Sequence, residues 1–87
     1  MKVYLLYNLE TSAQRLVEDL EARLKEATVD TELIDADSPH GIQMAETYDV
    51  VARPAVILMS NEGTPVKIWE GIDDMPLVTD VSYLAHQ

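Results

Sequence analysis

The alternation of apolar and polar positions in residues 1–36 predicts a strand, a helix and a second strand. The segment VYLLY at residues 3–7 has the composition of a buried strand. Apolar residues then recur at helical spacing at Ala13, Leu16, Val17, Leu20, Leu24 and Ala27. Thr11 and Gln14 match a capping box, so we expect a helix over residues 11–27.

The first helix is expected to carry ion pairs on its exposed face, and a second strand is expected to follow it. Arg15 with Asp19, and Glu21 with Lys25, stand four residues apart and are expected to pair on the exposed face. Residues 29–36 predict the second strand. A strand–helix–strand unit is typical of a right-handed crossover between parallel strands, so we expect the two strands to pair in parallel.

A second helix is predicted over residues 39–48. Asp37 or Ser38 is expected to cap it, and Pro39 suits its first turn. Gly41 is expected to weaken its beginning, because glycine is a poor helix former. The buried stripe of this helix is predicted to consist of Ile42, Ala45 and Tyr48.

The remaining residues predict a hairpin and a last helix. The uninterrupted apolar run AVILM at residues 55–59 is typical of a central strand, and Gly63 suits the turn that follows. Residues 66–69 alternate as an edge strand does, so we expect an antiparallel hairpin. The last helix is expected over residues 75–85, capped by Asp73 or Asp74 and with Pro76 in its first turn. Its inward residues are predicted to be Leu77, Val78, Val81 and Leu84.

The chain has 87 residues, which fits one domain of order βαβαββα over residues 1–87. Sixteen acidic and six basic residues give a net charge of −10, which disfavours nucleic acid and anionic membranes as partners. The longest apolar run is five residues, far below the roughly 20 needed to cross a bilayer. We therefore expect a cytoplasmic protein.

The chain contains no cysteine. Disulfides, thiolate nucleophiles and cysteine metal sites are therefore excluded. No residue pattern in the sequence indicates a bound cofactor or metal ion.

Residues 45–71, AETYDVVARPAVILMSNEGTPVKIWEG, resemble the C-terminal half of thioredoxins and glutaredoxins. The shared features are a helix ending at Tyr48-Asp49-Val50, a proline opening the third strand at Pro54, a turn at Glu62-Gly63 and a strand ending at Gly71. The stretch IDAD at residues 34–37 is similar to the end of the family's preceding strand. The resemblance implies a thioredoxin-like α/β fold with sheet order 2-1-3-4 and three flanking helices.

The chain departs from this family in the loop after the first strand. The family carries its active-site cysteine there, whereas this chain has NLETSA at residues 8–13. A serine hydroxyl does not replace a thiolate in disulfide exchange. The resemblance therefore implies the fold without the redox activity.

The resemblance also implies a cis peptide bond before Pro54, beside that loop. Backbone groups there pair with an extended peptide or glutathione in the family, and Arg53 would favour an acidic segment. Pro54 has an alternative role, which is only to shape the beginning of the strand. The residues expected to form the partner surface are Asn8, Leu9, Glu10, Thr11, Ser12, Arg53, Pro54, Ala55, Ile72 and Asp73, with Asp74 beside them.

Other candidate residues are better explained by structure than by chemistry. Asp35 and Asp37 are a weak magnesium signal, since Asp37 suits a helix cap. His40 and His86 are far apart in sequence and are expected at the surface. Ser12 has no visible base, and Tyr7 and Trp69 are expected to pack.

Three hypotheses of function follow. The first is a redox-inactive binding or adaptor module for a protein or peptide. The second is an enzyme that uses glutathione or another thiol cofactor. The third is a regulatory protein similar to the cysteine-free clock protein KaiB. We favour the first, because the second requires residues that the chain lacks.

Overall fold

The order of elements matches the predicted order, with one short 3-10 helix added. The structure is a computed structural model that describes residues 1–8 and 14–87. The elements are β1 (Lys2–Tyr7), α1 (Gln14–Glu26), β2 (Asp30–Asp35), α2 (Pro39–Thr47), β3 (Ala55–Met59), β4 (Pro65–Glu70), the 3-10 helix η1 (Ile72–Asp74) and α3 (Val78–Ala85). The predicted capping residue Thr11 lies outside the described residues, so the capping box stays a prediction.

The four strands form one sheet in the order β2-β1-β3-β4, which confirms the predicted order. β1 and β2 are parallel, with Leu5 opposite Leu33. β3 is antiparallel to β1 and to β4, with Ile57 opposite Tyr4 on one side and Ile68 on the other. All five residues of β3 are buried, as expected for a central strand with both faces covered.

Two apolar clusters lie on opposite faces of the sheet, because successive strand residues point to opposite sides. The first joins Val56 and Leu58 of β3 to Val17 of α1 and Val81 of α3. The second joins Ala55, Ile57 and Met59 of β3 to Met44 and Ala45 of α2. Two helices thus cover one face and one helix covers the other. None of the described helices has the length and apolar character needed to cross a membrane.

The beginning of α2 is fixed by Ser38, whose Oγ accepts a hydrogen bond from the N–H of Gly41 at 3.0 Å. Of the two residues predicted to cap this helix, Asp37 and Ser38, the structure has Ser38 at the cap position. Gly41 is also better explained by packing than by weak helix formation. A Cβ at Gly41 would overlap the carbonyl oxygen of Asp35 and lie 2.9 Å from Cα of Ala36. The glycine lets α2 lie directly against the end of β2.

The buried stripe of α2 differs from the predicted stripe. Gly41, Met44 and Ala45 are buried, whereas Ile42 is 45% exposed and Tyr48 is half-buried. The close approach at Gly41 sets the rotation of the helix, which turns Ile42 toward solvent. The prediction that Ile42 faces the core is therefore wrong.

The last helix begins later than predicted. Gly71 has φ 85°, and η1 occupies the residues that were expected to cap α3. Leu77 takes the N-cap position with no side-chain hydrogen bond and is 69% exposed. The expectations that Asp73 or Asp74 caps α3 and that Leu77 faces inward are both wrong, because the 3-10 helix moves the start of α3 past them. Val81 is fully buried, as predicted.

The exposed face of α1 carries two ion pairs at four-residue spacing. Glu21 pairs with Lys25 at 3.3 Å, as predicted. Asp19 pairs at 3.0 Å with Arg23, one turn after it on the same face, and not with the predicted partner Arg15, one turn before it.

Candidate functional site

The sheet register brings the described part of the predicted surface to one end of the sheet. Ala55, the first residue of β3, lies opposite Leu6 of β1 and Glu70 of β4. Asn8 follows β1, Arg53 and Pro54 precede β3, and η1 follows β4. These segments therefore meet at the same end of the sheet. The predicted residues Leu9, Glu10, Thr11 and Ser12 lie outside the described residues.

The Arg53–Pro54 peptide bond is cis, the isomer that the sequence resemblance implied. Pro54 is buried, and its carbonyl oxygen accepts a hydrogen bond of 2.9 Å from the N–H of Gly71. Arg53 is exposed. Its own backbone N–H and C=O form no hydrogen bond with another described residue. One backbone donor and one backbone acceptor beside the start of β3 are therefore unpaired within the described part of the chain.

The segment before Arg53 is held by a side chain that the sequence analysis did not single out. Glu70 Oε1 accepts a hydrogen bond from the N–H of Val51 at 2.7 Å and a longer one from the N–H of Ala52 at 3.4 Å. The only signal in the sequence is a carboxylate at the last position of an edge strand, directly before Gly71. That signal does not name the partner amides, which are 18 and 19 residues away.

The guanidinium of Arg53 has a partner as well. Its Nη1 lies 3.4 Å from Oδ1 of Asp37, and the two side chains are 36% and 68% exposed. A long ion pair between exposed groups contributes little to stability. It does offset the charge of Arg53, which weakens the argument that this surface attracts an acidic segment.

The paired acids Asp35 and Asp37 have local structural partners. Asp35 Oδ1 accepts a hydrogen bond from the N–H of Asp37 at 2.9 Å, and the carboxylate of Asp37 faces Arg53. Within residues 1–8 and 14–87, no three histidine or acidic side chains cluster closely enough to hold a metal ion.

The remaining candidates occupy structural positions. Trp69 is 7% exposed and belongs to the first apolar cluster, against which the half-buried Tyr7 also packs. His40 is exposed on α2. His86 lies beyond the end of α3, where its Nε2 is 3.1 Å from the carbonyl oxygen of Ala27. The structure therefore places the two histidines on different elements.

Comparison with solved structures finds chains of the same fold, among them a bacterial thioredoxin. Thioredoxin 1 from the thermophilic eubacterium Thermosipho africanus TCF52B aligns with a TM-score of 0.70 and 19% sequence identity, over 95% of this chain and 88% of that chain. No protein-family model and no curated protein matches the sequence. A likeness at this identity establishes the fold and leaves activity open. The chain therefore adopts a thioredoxin-like fold, without the cysteine on which thiol–disulfide exchange depends.

Proposed function

We propose that this chain is a redox-inactive thioredoxin-like module that binds an extended segment of a partner protein. The binding site is the Arg53 surface, which we define as Asn8, Arg53, Pro54, Ala55, Ile72 and Asp73. The proposal rests chiefly on the backbone of Arg53, whose N–H and C=O have no partner among the described residues. An extended peptide pairs with such groups as an added strand does.

The neighbours of Arg53 support this role because they limit the conformations of its backbone. Glu70 holds Val51 and Ala52 on one side, and Gly71 holds the carbonyl of Pro54 on the other. A binding group that is already ordered loses less conformational entropy when a ligand arrives. A donor and acceptor fixed between two anchored neighbours therefore suit a peptide better than a freely moving loop does.

The chemistry of the chain supports binding over catalysis. Disulfide exchange needs a thiolate, and the sequence has no cysteine. The glutathione-dependent enzyme and the KaiB-like regulator are the alternatives to the binding module. A glutathione-dependent enzyme would bind glutathione at the same backbone groups, so the experiment includes that ligand.

The test is selection from a displayed library of random heptapeptides, followed by titration of the labelled protein with an enriched synthetic peptide. We expect the largest amide shifts at Arg53, Ala55 and Ile72, with slower hydrogen exchange at the Arg53 N–H. The control ligand is the same peptide N-methylated at alternate residues. Methylation at alternate residues removes the N–H donors along one edge of the extended peptide, so methylation of the paired edge should abolish binding and methylation of the other edge should not.

The outcomes separate the hypotheses. Absence of enriched peptides, or shifts that cluster away from the Arg53 surface, would contradict the binding module. Binding of reduced glutathione by calorimetry, with shifts at Arg53, would favour the thiol-cofactor enzyme instead.

A further inference from the structure

A notch beside Arg53 combines exposed apolar residues with acidic residues. It is a shallow depression of about 320 Å³ on the side of α2. Its lining residues are Ile42, Ala45, Glu46, Asp49, Val50, Val51 and Arg53. Because Arg53 belongs both to this notch and to the Arg53 surface, the notch adjoins the backbone groups that are proposed to pair with a peptide.

The rim of the notch is apolar and exposed. Val51 is 86% exposed and Ile42 is 45% exposed. The hydrogen bonds that the N–H groups of Val51 and Ala52 donate to the Glu70 carboxylate fix the backbone from which Val51 projects. An apolar side chain held outward next to a second one offers a contact for an apolar group of a ligand.

The notch is also acidic. Glu46 and Asp49 line it, and neither carboxylate forms an ion pair with a described residue. Arg53 is the one basic residue among the lining residues, and Asp37 already neutralises it. The electrostatic potential of the notch therefore favours a cation.

Asp49, which carries one of these two carboxylates, has an unusual backbone conformation. Asp49 follows α2 with φ 56°, a left-handed conformation that glycine adopts at no steric cost. Aspartate tolerates this conformation better than most residues do, and here its carboxylate lines the notch.

We infer that the notch is the specificity subsite of the Arg53 surface, and that it takes a large aliphatic side chain whose neighbour in the partner is lysine or arginine. This inference rests on the proposed function, because the partner must lie along the Arg53 backbone. The aliphatic side chain contacts Val51 and Ile42. The cation lies near Glu46 and Asp49.

The test uses the heptapeptide library and four variants. Peptides enriched on the unaltered protein are expected to share an aliphatic residue next to lysine or arginine. For a synthetic peptide of that sequence, Val51→Ser should weaken binding about tenfold, a loss typical of one well-packed contact residue. Val66→Ser is the matched control, because Val66 is exposed on β4 away from the notch, and it should leave the affinity unchanged.

Two further variants test the charge. Asp49→Gly should be at least as stable as the unaltered protein, because glycine suits the left-handed backbone, and yet bind the peptide more weakly. Glu46→Gln should also weaken binding and reduce its dependence on salt. Affinity that falls while the thermal midpoint does not is a result that a merely structural role would not produce.

The failures of the two proposals are distinguishable. Peptides that shift Arg53 but lack the aliphatic–basic pattern, or that bind Val51→Ser and Val66→Ser equally well, would overturn the subsite and leave the binding module intact. Absence of peptide binding at Arg53 would overturn the binding module and the subsite with it.

Discussion

Glu70 and Val51 are 19 residues apart in the chain, yet the Glu70 carboxylate accepts a 2.7 Å hydrogen bond from the backbone N–H of Val51. The contact links the end of β4 to the segment that precedes β3. It anchors that segment to β4. The conformation of the Arg53 surface therefore depends on one carboxylate that lies outside it.

The first prediction concerns Glu70→Ala. Removal of the acceptor should speed hydrogen exchange at the Val51 and Ala52 amides and lower the free energy of unfolding by about 1 kcal/mol. Glu70→Gln keeps an acceptor oxygen, so its amide exchange rates and its free energy of unfolding should lie between those of the unaltered protein and of Glu70→Ala. Glu62→Ala, at an exposed position of the turn between β3 and β4, is the control and should change neither quantity. Unchanged exchange at Val51 in Glu70→Ala would contradict the assigned contact.

The second prediction concerns Gly41→Ala. Helix propensity alone would stabilise the protein by about 1 kcal/mol. The new Cβ would overlap the carbonyl oxygen of Asp35, so we expect a net loss of about 1–3 kcal/mol. Gln43→Ala, exposed on the same helix, should change stability by less than about 0.5 kcal/mol. Urea denaturation measures the change in the free energy of unfolding, and its sign distinguishes the two effects. A stabilised Gly41→Ala would refute the close packing of α2 against β2.

The third prediction concerns the cap of α2. Ser38→Ala removes the acceptor for the Gly41 N–H and should cost about 1 kcal/mol. Ser82→Ala in the interior of α3 is the matched substitution, and there alanine should maintain or slightly raise stability. Equal effects of the two changes in urea denaturation would argue against Ser38 as the cap.

The fourth prediction contrasts two leucines. Leu58 is fully buried in β3, so Leu58→Ala should cost about 2–5 kcal/mol. Leu77 is 69% exposed, so Leu77→Ala should cost less than about 0.5 kcal/mol. Thermal or urea denaturation of both variants checks the pair. A large loss in Leu77→Ala would restore the sequence-based expectation that Leu77 faces the core.

The fifth prediction concerns chemistry. Without a cysteine, the purified protein should not accelerate the reduction of insulin disulfides by dithiothreitol. Turbidity of precipitating insulin chains measures the rate. A rate above that of the reaction without protein would show an activity that the composition excludes.

The fold was predictable from sequence where burial leaves a strong local pattern. The run AVILM of β3 is buried on both faces, and its position between β1 and β4 follows from that burial. The parallel pairing of β1 and β2 follows from the helix that separates them. Both features depend on many residues, so one misplaced side chain does not change them.

Helix rotation and helix starts were less predictable because single contacts decide them. The contact of Gly41 with the end of β2 buries Met44 and exposes Ile42, although the two residues are both apolar and two positions apart. The 3-10 helix after Gly71 displaces the start of α3 beyond Leu77. At the Arg53 surface, the resemblance located Pro54, but the role of Glu70 depends on a contact between distant residues that no local pattern encodes.

The central position of β3 has a consequence for how this protein misfolds. A short apolar segment without charge, proline or glycine is the kind of sequence that stacks into cross-β fibrils. Here both of its backbone edges are paired, with β1 on one side and β4 on the other. Any event that detaches β4 turns β3 into an edge strand with free backbone groups. The hairpin of β3 and β4 thus also keeps this aggregation-prone segment paired on both edges. Destabilising β4 should increase fibril formation as well as unfolding.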